Sequence, residues 1–533
     1  MVHQNLLIVL VLFFFMVLLY LLSERVKMSY PIFLVIGGLS ISFVPGIPNV
    51  NIDPDIVFLI FLPPLLFEAA WNTSWRNFLT WKRSIFSMGF GLVFSTSLAV
   101  AYLSIMIIPD FTLALGFLLG GIISPPDAVA ATSILKGMKM PRSGLTILEG
   151  ESLVNDAASL TVFRFATVAI LTNQFVFRKA TIDFAVLAFM GVAVGLVVAY
   201  LLFWILRSWA KSSRMTTPIT IIAPYLMYVI AEEFHWSGVL AVVSGGLYLS
   251  SHAKDFLNYR TRLQNKEVWN ILVFLLNGFV FILIGLELPM IVEGLGSYSL
   301  KEAIGYGLLI SGIVILIRII LVYLTFFLPR LLSSSIRRKE PTQGWKLPFI
   351  IGWAGMRGVV SLAAALTIPL TMDNGSSFPH RNLILFITFV VILITLVFQG
   401  LTLPVFLRIL KVEDAKENLL PNEQMDAIRL RLARQSATYL ESNYSSEMAE
   451  YSSIQRIMEQ IRRTINATAA GKEQDEKDLL DSAQDLNKKI LLELLQLRRL
   501  GLHSIHEENL YDEEVIRDLE NNLDLEESRL NKR

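Results

Sequence analysis

Between residues 1 and 410 the chain returns repeatedly to apolar runs of about 18 residues or more, separated by short polar stretches. As a helix, a run of that length spans the hydrocarbon core of a bilayer. The pattern predicts an all-α polytopic membrane protein, and the 54% apolar composition agrees with it. About thirteen spans are expected, at 5–23, 28–45, 56–72, 84–108, 112–136, 150–172, 181–206, 216–231, 236–251, 267–292, 300–328, 346–370 and 382–410. The first is read as a spanning helix and not as a signal peptide. Met1 to Leu7 lacks Lys and Arg, and the apolar run to Leu22 is too long for a cleaved segment.

Charge orders these spans. With the N-terminus outside, the inner loops carry most of the basic residues, Arg76, Lys82, Arg83, Arg207, Lys211, Arg214, Arg337, Arg338 and Lys339 among them. The outer loops carry only Arg178, Lys179, Lys301 and Arg381, as the excess of positive charge on cytoplasmic loops requires. Two domains follow from a change of composition. Residues 1–410 hold 28 Lys/Arg against 19 Asp/Glu and form the membrane domain; residues 411–533 hold 18 against 26 and form a cytoplasmic tail. Helical periodicity recurs in the tail at 423–440, 453–467, 476–500 and 510–530. It has no zinc-finger spacing, phosphate-binding loop or HExxH, which leaves a packing domain or a ligand or pH sensor as its readings. The absence of cysteine excludes disulfides and thiolate chemistry.

The sixth span is the chemically loaded one. GESLVNDAASLTVFRF, Gly150 to Phe165, places Glu151, Asn155, Asp156 and Arg164 at membrane depth, where charge is costly and marks an ion or proton path. Ser152, Asn155, Asp156 and Ser159 recur at helical spacing and share a face of oxygen ligands suited to a hard cation. Asp127 is the second intramembrane acid, in the fifth span's SPPDAVAAT, where Pro125 and Pro126 interrupt the helix. Asp127 also suits a helix start. The twelfth span is interrupted in turn by GWAGMRG around Arg357. Their serial positions differ by seven, an odd number, so they cross in opposite senses, as two inverted six-helix repeats would place them. Freed carbonyls at such breaks can replace a cation's hydration oxygens, the Pro126 carbonyl among them.

Other charges have two readings each. Glu151 is either part of the site or an acid favoured by the helix dipole in the first turn of its span. Arg357 is a fixed positive charge offsetting the crossing helix ends, or a snorkelling side chain. Arg164 stands on roughly the face of Asp156 and suits a structural ion pair; Glu68 is a partner for either arginine. Glu149, Glu287 and Gln399 are expected near span ends, in capping or interfacial positions.

SPPDAVA, GESLVNDA, NGFVFILIGLELP at 277–289, GWAGMRGVVSLAAAL at 352–366 and LVFQGLTLP at 396–404 together resemble the monovalent cation:proton antiporter-1 family, the sodium/proton exchangers, over nearly all of residues 1–410. The tail resembles those of bacterial members loosely. The resemblance implies an ion site of Asn155, Asp156 and Asp127, with Ser152 and Glu151 close by, Asp127, Asp156 and Ser152 holding the monovalent cation, and Arg357 as fixed charge. It implies a homodimer in the plasma membrane, a core domain moving against dimerisation helices, and electroneutral exchange of Na+ for H+, serving pH and sodium homeostasis, without a cofactor. Bacterial relatives often carry Thr before the crossing-helix Asp, where this chain has Pro126; a backbone carbonyl survives that change and a hydroxyl does not. The choice among Na+, Li+ and K+ therefore stays open.

The mechanism expected is competition: a proton and a cation contend for the same oxygens because either neutralises the site. The rivals are a potassium/proton antiporter, an ion-coupled solute carrier, a sensor signalling through the tail, and an intramembrane aspartyl protease, whose two acids share a proton. Against the protease, the acids here sit in VND and PPD rather than in YD and GxGD motifs. Nothing points to nucleic acid.

Overall fold

A computed structural model describes residues 2–469 apart from short stretches, the longest 43–53, 335–343 and 413–420, and only isolated positions beyond 469. The described residues are helical, with one isolated bridge between Thr371 and Ser377. The chain divides into two compact units, Met1–Lys416 and Glu417–Arg533.

In the first unit the helices run in order: α1 Val2–Val26, α2 Tyr30–Ser42, α3 Pro54–Asn72, α4 Trp75–Ile107, α5 Leu113–Ile123, α6 Ala128–Leu135, α7 Arg142–Thr172, α8 Phe177–Ser208, α9 Ser213–Glu233 and α10 Gly238–Ser251. After the single turn α11 Ala253–Phe256 come α12 Tyr259–Leu286, α13 Leu288–Glu293 and α14 Leu300–Leu332. The unit ends with α15 Lys346–Trp353, α16 Val359–Leu366, α17 Arg381–Ile394, a π-helical turn Thr395–Gln399, and α18 Gly400–Leu410. Helix covers part of each of the thirteen expected segments. Among the described residues, eight stretches are long and apolar enough to cross a membrane, and Tyr30–Ser42, Leu59–Asn72 and Gly238–Ser251 are apolar but shorter. A count of thirteen crossings needs these shorter helices, α1 and the broken pair α15–α16 to cross as well.

Several helices outrun the apolar stretch that announces them. α7 begins at Arg142, eight residues before the expected start of its span. Glu151 is therefore two turns inside, beyond the first turn to which a dipole effect is confined, and the dipole reading of Glu151 is set aside.

Among the described residues, three large apolar cores and a small one around Phe78, Ile85 and Val154 hold the unit together. One joins α1, α2, α6, α12 and α15 around Met16, Leu34, Phe281 and Ile350. A second joins α5, α14 and α17 around Leu118, Ile310 and Ile387. The third joins α3, α8, α9 and α10 around Phe67, Ala199, Met227 and Val242. Without a hydrophobic drive between helices in lipid, close backbone approach matters more, and small residues permit it. A Cβ on Gly116 or Gly120 of α5 would come within 2.6 Å of the backbone of Ala101 or Ser97 on α4.

In the second unit, α19 Pro421–Asn443 and α20 Ser452–Ala469 pack together, with an exposed Arg462–Glu441 ion pair at 3.2 Å. They match the first two helices expected in the tail; the two expected at 476–500 and 510–530 lie outside the described residues.

Candidate ion site at the crossing of two broken helices

The two breaks meet. α5 stops at Ile123, the prolines of Ser124-Pro125-Pro126 offer no N–H to continue it, and α6 starts at Ala128. Asp127 caps that start, its Oδ1 accepting from the N–H groups of Val129 at 2.8 Å and Ala130 at 3.4 Å. The Asp127 N–H donates across to the carbonyl of Met356 at 2.7 Å, inside the break between α15 and α16. Gly358, which begins α16, lies so close that a Cβ there would sit 1.8 Å from Asp127 Oδ2. The carboxylate thus stands at the N-termini of two helices, each carrying partial positive charge.

Arg357 serves the opposite ends. It is 1% exposed, which excludes snorkelling. Its Nε donates to Ile123 O at 2.8 Å and its Nη2 to Ser124 O at 3.2 Å, closing the C-terminus of α5. Its Nη1 donates to Gly355 O, and its own N–H donates to Thr395 Oγ1 at 3.0 Å on the π-helical turn. A cation suits these carbonyls at the end of a helix.

α7 passes beside the crossing. Asn155 is fully buried and donates from Nδ2 to Pro126 O at 3.3 Å, so one freed carbonyl already has a partner. Asn155 Oδ1 accepts no hydrogen bond. Asp156, 5% exposed, feels the charge of Asp127, and among the described residues no group donates to its carboxylate. Ser152, half-buried, is one turn before it on α7. Ser159 turns inward to its own helix, donating to Asp156 O at 3.0 Å. Pro126, Asp127, Asn155 and Asp156 are therefore brought together, and of the two acids Asp127 is compensated by helix ends whereas Asp156 is not.

The remaining charges find other partners than those expected. Glu151 is fully buried and bound by both terminal nitrogens of Arg318, Nη1 to Oε1 at 2.6 Å and Nη2 to Oε2 at 3.1 Å; Nη2 also donates to Ile351 O at 3.2 Å. This pair ties α7, α14 and α15 together behind the crossing. Sequence reasoning missed Arg318, although an arginine amid VILIRIIL in mid-span is itself a flag. Arg164 makes its ion pair with Glu232 at the end of α9, not with Asp156. Glu68 meets no arginine among the described residues; its Oε1 accepts from Asn72 at 2.5 Å. Gln399 is not interfacial: it is fully buried in the π-helical turn, with neither amide atom hydrogen-bonded.

The family model described as "Sodium/hydrogen exchanger, transmembrane" matches residues 10–409. A Mycobacterium tuberculosis protein described as an uncharacterized Na(+)/H(+) exchanger is 31% identical over 519 residues, 96% of this chain and 93% of the relative. The sodium, potassium, lithium and rubidium/H(+) antiporter of Bacillus subtilis is 32% identical over 379 residues, 69% of this chain and 56% of the relative. Among solved structures, the sodium proton antiporter MjNhaP1 from Methanocaldococcus jannaschii superposes with a TM-score of 0.61 at 19% identity, over 76% of this chain and 98% of the other, which supports the fold. On the match across its membrane unit, the chain belongs to the sodium/hydrogen exchanger transmembrane family.

Proposed function

We propose that the protein exchanges Na+ for H+ across the membrane by alternating access, with Asp156 as the group that carries either ion. The observation that carries this reading is the uncompensated burial of Asp156 beside the crossing. An ionised carboxylate left in that position without a donor is costly, and a proton or a bound cation removes the cost. Asp127, Asn155, Ser152 and the Pro126 carbonyl are the oxygens at hand for a partly dehydrated cation. Asp127 and Arg357 are each held by helix ends, and Glu151 and Arg318 neutralise one another. One titrating charge then remains, so one cation replaces one proton and exchange is electroneutral.

The family consists of transporters that work without a cofactor, which removes the protease alternative. The loop charges support thirteen crossings with the N-terminus outside and the C-terminus in the cytoplasm, and the cell's plasma membrane as its place rests on the resemblance. The membrane domain at 1–410, the tail at 411–533, the inverted repeat, the homodimer and a part in pH and sodium homeostasis belong to the same proposal and rest on the resemblance and the spacing of the breaks. A second reading, K+ in place of Na+, is favoured by the name of the Bacillus subtilis relative, which includes potassium.

The test is a cation panel. Purified protein in liposomes with a preset pH gradient should discharge it on addition of Na+ or Li+. Discharge by K+ alone would select the second reading, and no response to any alkali cation would end both.

A further inference from the structure

The face of α7 that carries Asp156 continues into a cavity of about 630 Å3. Ala157, Leu160, Thr161 and Arg164 line it, residues one, four, five and eight past Asp156, together with Phe163, Phe165 and Val168, so the cavity runs along α7 starting from the residue next to Asp156. Glu232 stands across from them and forms the ion pair with Arg164 inside the cavity. Its other oxygen, Oε1, accepts from the Gly238 N–H at 3.1 Å, which anchors the carboxylate to the start of α10. The side chains are 46% and 27% exposed, so the pair is open to the cavity. Arg164 lies about 12 Å along the helix from Asp156. Left unpaired, its guanidinium would raise the potential met by a cation on the way in; Glu232 cancels it.

We propose that Glu232, anchored by Gly238, keeps Arg164 from repelling a cation that enters this cavity on its way to Asp156 from the membrane face at which α7 ends. Glu232 is a positioning residue, acting through Arg164, and it touches no transported ion. The proposal rests on Asp156 being the exchange site.

The chain has no cysteine, so single introduced cysteines report access directly. In intact cells Thr161→Cys should react with a membrane-impermeant methanethiosulfonate, whereas Ser251→Cys, at the opposite end of α10 from Gly238, should not. Reaction of Thr161→Cys only after permeabilisation overturns the route. In liposomes, with cation added on the side the reagent reaches, Glu232→Gln should raise the KM for sodium about threefold and Arg164→Gln should lower it by a similar factor. The maximal rate should stay put, and the combined variant should return towards the wild-type KM. Unchanged KM values, or shifts of both single variants in one direction, remove the role of the pair. If the wild-type chain moves no alkali cation, the exchange reading fails and the proposal with it; if it exchanges sodium but the KM values or the Thr161→Cys labelling go against expectation, the proposal alone fails.

Discussion

Each buried charge around the crossing is answered by a specific partner except one. Asp127 faces two helix starts, Arg357 faces helix ends, and Glu151 faces Arg318. The last pair offers a direct check. Both side chains are 1% exposed, and removing one member of such a pair leaves the other charge buried alone, typically at about 3–5 kcal/mol. Arg318→Met should therefore lower the melting temperature markedly in detergent, and the double variant Glu151→Leu/Arg318→Met should recover most of it. A single variant as stable as wild type would contradict the buried pair. At this scale the sequence was only partly legible. Asp127, Asp156 and Arg357 declare themselves as charges where lipid should exclude them. Arg318 declares itself in the same way, but its pairing with Glu151 does not, because the two lie 167 residues apart and nothing local links them. Arg164 misleads for the same reason: helical spacing relates it to Asp156, while tertiary packing gives it Glu232.

The elements that matter are the interrupted ones. Pro-Pro and the glycines of GWAGMRG made both breaks visible, since each removes a backbone donor or permits a close approach. The π-helical turn Thr395–Gln399 left no such mark: TLVFQ holds neither Gly nor Pro, and a π turn needs no breaker residue. Yet its Thr395 holds the Arg357 backbone, so the twelfth-span break is shaped partly from the thirteenth span. The dependence of the crossing on space at Gly358 is testable. Gly358→Ala puts a methyl group where the Asp127 carboxylate now lies and should displace it. Loss of that cap costs about 0.5–2 kcal/mol, a modest fall in melting temperature. Exchange should fall by about tenfold or more, since 1.4 kcal/mol already amounts to a factor of ten. Near-normal exchange by this variant would show that Asp127 need not sit where the two helices begin.

For the whole molecule, spacing and loop charge conveyed the all-helical membrane architecture, but helix ends less well. α4 starts at Trp75 and α14 runs to Leu332, because a helix continues past the apolar stretch wherever neighbouring helices still support it. A molecule with one uncompensated exchange group moves no net charge per cycle. Clamping the membrane potential of proteoliposomes with valinomycin and potassium should therefore leave the rate of sodium-driven proton movement unchanged; a rate that follows the imposed potential would mean that more than one charge is exchanged. The most direct measurement is on Asp156 itself. Asp156→Asn, reconstituted beside the wild type and shown to melt at a similar or higher temperature, should give no sodium-driven proton movement. Exchange at the wild-type rate by the folded variant would contradict the account.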